Sequence, residues 1–245
     1  MEPIIKLSHV GKTFIDARER LTAVKDVSLE ILPGEFFVFV GPSGSGKSTI
    51  LRIMSGLEKD FEGSLAYGEG ITQANMSFVF QQFALLPWLT VKENVALPLI
   101  PRRLPPHVKN HNVSDELKRL HLEAAGHLHP RELSGGMRQR VGLARALVVN
   151  PKIMFMDEPF SELDSFTAEE LRTELLQIWA ERKMTIVMVT HIIEEALELA
   201  DRVAVLTARP GMLEKVVTNT LPRPRQKRSE PFYHLEDELY RLIKP

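Results

Sequence analysis

A chain of 245 residues, 44% hydrophobic and 26% charged, can bury a substantial core: one large α/β domain with a smaller appendage. Its 31 basic and 32 acidic residues nearly cancel, which removes any global pull toward nucleic acid or an anionic membrane. The absence of cysteine excludes disulfides and thiolate metal sites.

The first residues, "MEPIIKLSHVGKTF", have neither the basic region nor the apolar stretch of a signal peptide. No apolar run approaches the roughly 18–20 residues needed to span a bilayer, so any role at a membrane is expected to be peripheral. "VSLEI" (Val27–Ile31) alternates, as does part of "GSLAYGEGI", which predicts an antiparallel sheet layered on the core. "FFVFV" (Phe36–Val40) is continuous and apolar, the pattern of a strand buried on both faces of a parallel sheet. "SFVF" (Ser77–Phe80), "KIMFM" (Lys152–Met156) and "TIVMV" (Thr185–Val189) repeat that pattern, and "VAVL" (Val203–Leu206) predicts a further strand. Between them a helix runs from Thr49 to Ser55 and stops at Gly56. Residues from about Leu89 to Arg131 form a proline-broken helical insertion, with a short helix begun by Ser114 in "SDELKRLHLEAAG". Helices are predicted from Met137 to Val149, ending at Asn150–Pro151, and from Thr167 to Arg182, with Thr167 and Glu170 spaced as a capping box. After Leu221 comes "PRPRQKR", a basic linker that reads as solvated. "SEPFYHLEDELYRLIK" follows, a helix with Phe232, Leu235, Leu239 and Ile243 on the face expected to dock on its own domain.

The four apolar strands are followed at once by Gly41, Gln81, Asp157–Glu158 and Thr190–His191. Open α/β sheets bind ligands just beyond the carboxyl ends of their strands, so the four junctions outline one nucleotide site. "GPSGSGKST", Gly41 to Thr49, satisfies the phosphate-loop pattern in the required strand-to-helix context. Pro42, Ser43, Gly44, Ser45 and Gly46 complete the cradle whose backbone N–H groups face phosphate. Lys47 adds charge at the β/γ-phosphates, and Ser48 offers a hydroxyl to Mg²⁺. Asp157 suits Mg²⁺ and Glu158 suits general-base activation of water; Gln81 adds a neutral amide near the metal and the water. His191 can hydrogen-bond the γ-phosphate and help hold the water. A second glycine turn, Ser134, Gly135 and Gly136 in "LSGGMRQR", opens another helix. One phosphate loop holds one ATP, so the second turn is read as closing over the ATP of a second copy packed head to tail about a two-fold axis.

The phosphate loop, "LSGGMRQR", "FMDEPFSELD" and "VTH" together resemble the nucleotide-binding subunit of ATP-binding cassette (ABC) transporters, over about Ile4 to Arg209. The resemblance implies a P-loop, RecA-like α/β core with an antiparallel β subdomain and a small helical subdomain. On that plan residues 1–88 hold the β subdomain and the first part of the core, and 89–133 the helical subdomain. Residues 134–215 are the second part of the core, and 216–245 the basic linker and terminal helix. It places Gln81 in a Q-loop, Ser161–Asp164 in a D-loop with Asp164 at the nucleotide, and His191 as the switch histidine. It matches Phe14 to an adenine-stacking position, where the ring could equally be core. Glu162 in the D-loop and Ile192 after the histidine depart from the family's more frequent residues.

"FQQFALLPWLTVKENVALPL", "HIIEEALELADRV" and "TARPG" resemble the nitrate/sulfonate/taurine importers. That likeness implies MgATP, a partner ATP-binding subunit (a homodimer is expected), two membrane permeases, an extracytoplasmic solute-binding protein, and a place at the cytoplasmic membrane face. No nucleic-acid partner is expected. Leu85, Leu86 and Trp88 either face a permease helix or pack the insertion onto the core. His107 and His111, at i,i+4, are read as solvated surface rather than a metal pair. The competing function is a soluble ABC ATPase acting in assembly or as a nucleotide-gated scaffold.

Overall fold

The structure, a computed structural model, describes residues 2–15 and 20–243. In chain order the strands and helices are β1 (Ile5–Ile15), β2 (Arg20–Ile31), β3 (Phe36–Val40), α1 (Lys47–Met54), β4 (Glu62–Tyr67), β5 (Met76–Val79), α2 (Val91–Ala96) and α3 (Pro106–Arg119). They continue with α4 (Gly135–Leu147), β6 (Ile153–Asp157), α5 (Ser165–Arg182), β7 (Thr185–Thr190), α6 (Ile193–Leu199), β8 (Arg202–Leu206), β9 (Leu213–Thr218) and α7 (Glu230–Ile243). The chain divides into two compact units, Met1–Gln73 with Arg182–Pro245, and Ala74–Glu181.

In the first unit β1 lies between β2 and β4 in an antiparallel sheet, with Ile5 opposite Ile31 and Tyr67. A second layer has β3 between β7 and β8, both parallel to it, and β9 antiparallel on the far edge of β8. Every residue of β3 and β7 is buried, which is why their sequences lack alternation. α1 packs against β7 and α6 against β3, while α7 rests on α6 and β8. Phe232 and Leu239 are the fully buried residues of α7, so its apolar face docks on its own unit as expected; Lys244 lies outside the described residues.

The basic linker is only partly solvated: Arg228 is exposed, but Arg223, Arg225 and Lys227 are half-buried. Arg223 donates to the Leu199 carbonyl at 2.6 Å and to Asp201, and Arg225 donates to the Glu198 carbonyl at 3.0 Å. Lys227 pairs with Glu198 at 3.0 Å. The two arginines meet the last carbonyls of α6, where helix geometry leaves acceptors and partial negative charge. Burial, with Arg223 nearby, pulls the Arg225 guanidinium down to about 10.

In the second unit β5 and β6 run parallel, with α4 packed against β5 and α2 and α3 against α4. α3 begins at Pro106, eight positions before Ser114; the prolines read as breakers include one at its first turn, where proline is pre-organised for helix. α5 begins at Ser165 rather than Thr167. Asp164 caps it, accepting the Thr167 N–H at 3.1 Å and the Thr167 hydroxyl at 2.7 Å, in place of the expected Thr167–Glu170 box. A capping box does occur at α2: Glu93 N–H donates to Thr90 Oγ1, and the Glu93 carboxylate accepts from the Thr90 N–H. Buried Asn94 of α2 donates to the carbonyls of Leu86, Leu89 and Thr90, pinning a loop that leaves Trp88 70% exposed with Leu85 and Leu86 half-buried. His111 pairs with Asp115 at 3.3 Å, and no group of three or more metal-ligating side chains occurs among the described residues.

Candidate active site

Each unit gathers chemistry at one edge of its parallel strands. In the first unit Val40 of β3 pairs with Thr190 of β7, so Gly41 and His191 leave the sheet side by side at its carboxyl edge. Gly41–Gly46 then wraps back to start α1. Gly46 sits at φ 78° as its N-cap, where a Cβ would lie 2.5 Å from the Ala23 carbonyl, so only glycine fits. Being glycine, it provides no side-chain cap for the N–H groups of the first turn. Lys47 is buried, 5% exposed, and its ammonium donates to the carbonyls of Gly41 and Pro42 at 2.9 Å each, which holds the cation across the mouth of the loop. Thr190 Oγ1 donates to buried Glu195 at 2.8 Å and accepts the Ile192 N–H at 3.1 Å, fixing the backbone on which exposed His191 sits. Phe14 is not core: its ring on β1 is 42% exposed. Lys12 lies 4.9 Å from the ring centroid and is anchored by Glu58 and Asp60 at 3.2 and 3.0 Å. That arrangement leaves an aromatic surface on which a base can stack.

In the second unit Val79 of β5 pairs with Met156 of β6, so Gln81 and Asp157–Glu158 also leave one edge together. Ser161 ties them: Gln81 Nε2 donates to its Oγ at 3.3 Å, and that Oγ donates to the Glu158 carbonyl at 3.0 Å. Asp157 is buried, and Glu158 is half-buried with φ 43°, a left-handed conformation costly for a side chain with a Cβ. Strain of this kind clusters at catalytic positions. The Ser134 turn lies nearby in the chain fold: Gly135 approaches the Glu162 carbonyl and Leu163, and a Cβ on Gly136 would sit 2.5 Å from Thr167 Cγ2. Ser134 accepts the Met137 N–H at 3.3 Å, so its hydroxyl caps α4 and keeps its proton to donate outward. Asp164, expected at the nucleotide, is the α5 cap, and its bonds from the Thr167 hydroxyl and N–H hold its carboxyl below the ordinary value.

Arg145 of α4 escaped the sequence reading. It donates to the carbonyls of Phe83 and Ala84 at 2.8 and 2.6 Å, just beyond Gln81, where both residues adopt left-handed φ of 48° and 46°. Burial pulls its guanidinium pKa below the ordinary arginine value. Nothing in the local pattern marks such a residue, because its partners are backbone carbonyls some sixty positions away.

The donors assigned to Mg²⁺, the Ser48 hydroxyl, the Gln81 amide and the Asp157 carboxylate, are all oxygen, and one carboxylate among them fits a cation that relies on phosphate oxygens and water for its remaining ligands.

Comparison with known proteins identifies the family. The profile of the ABC transporter family matches residues 24–161. The aliphatic sulfonates import ATP-binding protein SsuB of Bacillus cereus is 39% identical over 96% of this chain and 94% of its own length. The nitrate import ATP-binding protein NrtC of Synechocystis is 42% identical over 93% of this chain, which spans 35% of that longer protein. Among solved structures, a dimeric post-hydrolysis state of the ATP-binding cassette MJ0796 bound to ADP and Pi matches with TM-score 0.78 and 36% identity, covering 88% of this chain and 98% of that one. With a phosphate loop, a strand-end Asp–Glu pair and a serine–glycine helix start on an α/β core, this chain belongs to the ABC transporter family and is one of its ATPases.

Proposed function

We propose that the chain is the ATP-hydrolysing subunit of an importer for a small anionic or organic solute of the sulfonate or nitrate kind. The observation that carries this is near full-length similarity to an aliphatic sulfonates import ATP-binding protein, together with Gly41, Gln81, Asp157–Glu158 and His191 at four strand ends. The soluble assembly ATPase has no such support.

In this reading Gly41–Thr49 binds the triphosphate and Phe14 stacks on adenine. Ser48, Gln81 and Asp157 would hold Mg²⁺, which would neutralise developing phosphate charge. Lys47 stabilises the β/γ-phosphates. Glu158 takes a proton from the attacking water, and His191 and Gln81 hold that water in line with the γ-phosphorus. Ser134, Gly135, Gly136 and Asp164 act on the ATP of a second ATP-binding subunit, so that two chains close head to tail on two nucleotides. Closure and reopening drive a pair of integral-membrane permeases, with exposed Trp88 available to the permease contact. An extracytoplasmic solute-binding protein delivers the cargo. No helix among the described residues is long and apolar enough to cross a membrane, which suits a peripheral place on its cytoplasmic face.

Purification from detergent-solubilised membranes tests the proposal. Recovery of a permease, and ATP turnover stimulated by the solute-loaded binding protein, are expected. Exclusive recovery of soluble partners would overturn it.

A further inference from the structure

The turn joining β8 to β9 contains "TARPG", Thr207 to Gly211, a motif to which the mechanism above gives no part. β8 runs parallel to β3 on the side away from β7, with Val205 beside Val40. This turn therefore leaves the sheet at the same carboxyl edge as the phosphate loop and His191.

The turn is braced and pressed against the loop. Thr207 N–H donates to the Met212 carbonyl, Met212 N–H to Thr207 Oγ1, and Thr207 Oγ1 to the Pro210 carbonyl, each at 3.0 Å. Gly211 N–H donates to the Ala23 carbonyl at 3.0 Å, and its own carbonyl accepts from Lys25 N–H at 2.9 Å, which fixes the turn to β2. Gly211 touches the loop so closely that a Cβ there would lie 2.0 Å from the Ser45 carbonyl. The turn carries the Arg209 guanidinium to the loop apex. A Cβ built on Gly44 would find Arg209 Nε at 3.0 Å and Nη2 at 3.2 Å. Among the described residues Arg209 has no carboxylate partner and no hydrogen bond, and it is exposed.

An exposed arginine is ordinarily solvated and free to wander. This one stands on a cross-braced turn, unpaired among the described residues, with its planar head against the apex of the phosphate loop. We propose that Arg209 is a second phosphate-directed cation of the nucleotide site, raising the positive potential at the triphosphate beside Lys47 and contributing to ATP affinity. The inference rests on the phosphate-loop reading of Gly41–Thr49.

The test is equilibrium binding of ATP and ADP to the full-length chain, diluted until it is hydrodynamically monomeric, at several salt concentrations. Arg209→Gln keeps a planar head that can pack on Gly44 but loses the charge; it should weaken ATP binding by about 3- to 10-fold, the loss shrinking as salt rises. Arg209→Lys keeps the charge and should stay within about twofold of wild type, while Arg209→Glu should lose more than about 10-fold. Unchanged melting temperatures would show that the turn survives. Wild-type affinity in Arg209→Glu overturns the proposal. So does a normal Arg209→Gln with a weakened Arg209→Lys, which would assign packing, or a defect confined to dimer formation. Lys47→Ala keeps the two readings apart: if it loses nucleotide while Arg209→Glu does not, only the Arg209 assignment fails, whereas wild-type affinity in Lys47→Ala removes the loop itself.

Discussion

The phosphate loop and the Ser134 turn look alike as sequence, each a serine–glycine run opening a helix, yet the chain finishes them differently. Gly46 leaves the first turn of α1 without a side-chain cap, and Lys47 is held back on its own loop carbonyls. Gly41, Ser45 and Lys47 of that half are buried while Ser43 and Gly44 stay exposed at its apex, and it is braced on three sides by β2, β8 and the β8–β9 turn. Ser134 spends a lone pair capping α4, stays exposed, and stands beside glycines packed onto the D-loop and α5. A helix start without a cap keeps its N–H groups for an anion; a capped one offers chiefly the serine proton. The difference is what the proposed pair of half-sites requires: one turn to envelop a nucleotide and another to touch a nucleotide held by the second copy.

The largest effect is expected from Glu158→Gln. Removing the general base should cut turnover by about 10²-fold or more while sparing ATP binding, so that an ATP-loaded dimer accumulates. Turnover is read from phosphate release and the dimer from size-exclusion chromatography with Mg²⁺ and ATP; wild-type turnover would remove Glu158 from its role. The trapped dimer then discriminates between the turns. Ser134→Asp keeps an equally good N-cap but replaces a donor proton with a negative charge, so helix stability should hold while the trapped dimer disappears. Ser134→Ala should cost about 1 kcal/mol of stability from the lost cap in addition to weakened closure. A full yield of dimer from Ser134→Asp would leave the Ser134 turn with only its capping role.

A smaller effect belongs to Arg145, which clamps the Gln81-proximal turn onto α4, the helix that Ser134 opens. Two charge-assisted bonds to backbone carbonyls and two left-handed residues depend on it. Arg145→Met should destabilise the chain by about 2 kcal/mol in urea unfolding and speed amide exchange around Phe83 and Ala84 more than elsewhere. Uniform exchange would mean that Arg145 contributes stability without holding that turn.

Such contacts mark the limit of what the sequence discloses. The strand ends were legible because the chemistry there is contiguous: an apolar run followed at once by Gly41, Gln81, Asp157–Glu158 or His191. β7 and β3 pair in the register that places two of those junctions side by side. Arg145, Arg209 and the linker arginines were illegible because each acts on backbone carbonyls, a glycine face or a helix end, none of which has a residue type to advertise it. The start of α3 was missed for another reason. Proline stops a helix from within but begins one well, and "PP" at 105–106 fits both until the fold decides. The Thr90–Glu93 box, by contrast, stood in the sequence as T-x-x-E and was available.

The smallest expected effect concerns Asp164, where the structure and the family resemblance give one carboxylate two duties. Its bonds from the Thr167 hydroxyl and N–H depress its folded-state pKa below the ordinary 3.8. A carboxylate depressed on folding contributes stability that is present above its unfolded value and lost as pH falls through the folded one. Acidification from about pH 5 downward should therefore loosen the first turn of α5, seen as faster exchange at Thr167. Asp164→Asn, which caps without ionising, should lack that acid step and melt almost like wild type at neutral pH. If the same variant still forms the trapped dimer, capping α5 accounts for Asp164 by itself; if the dimer weakens while α5 keeps its protection, the carboxylate also serves the second nucleotide.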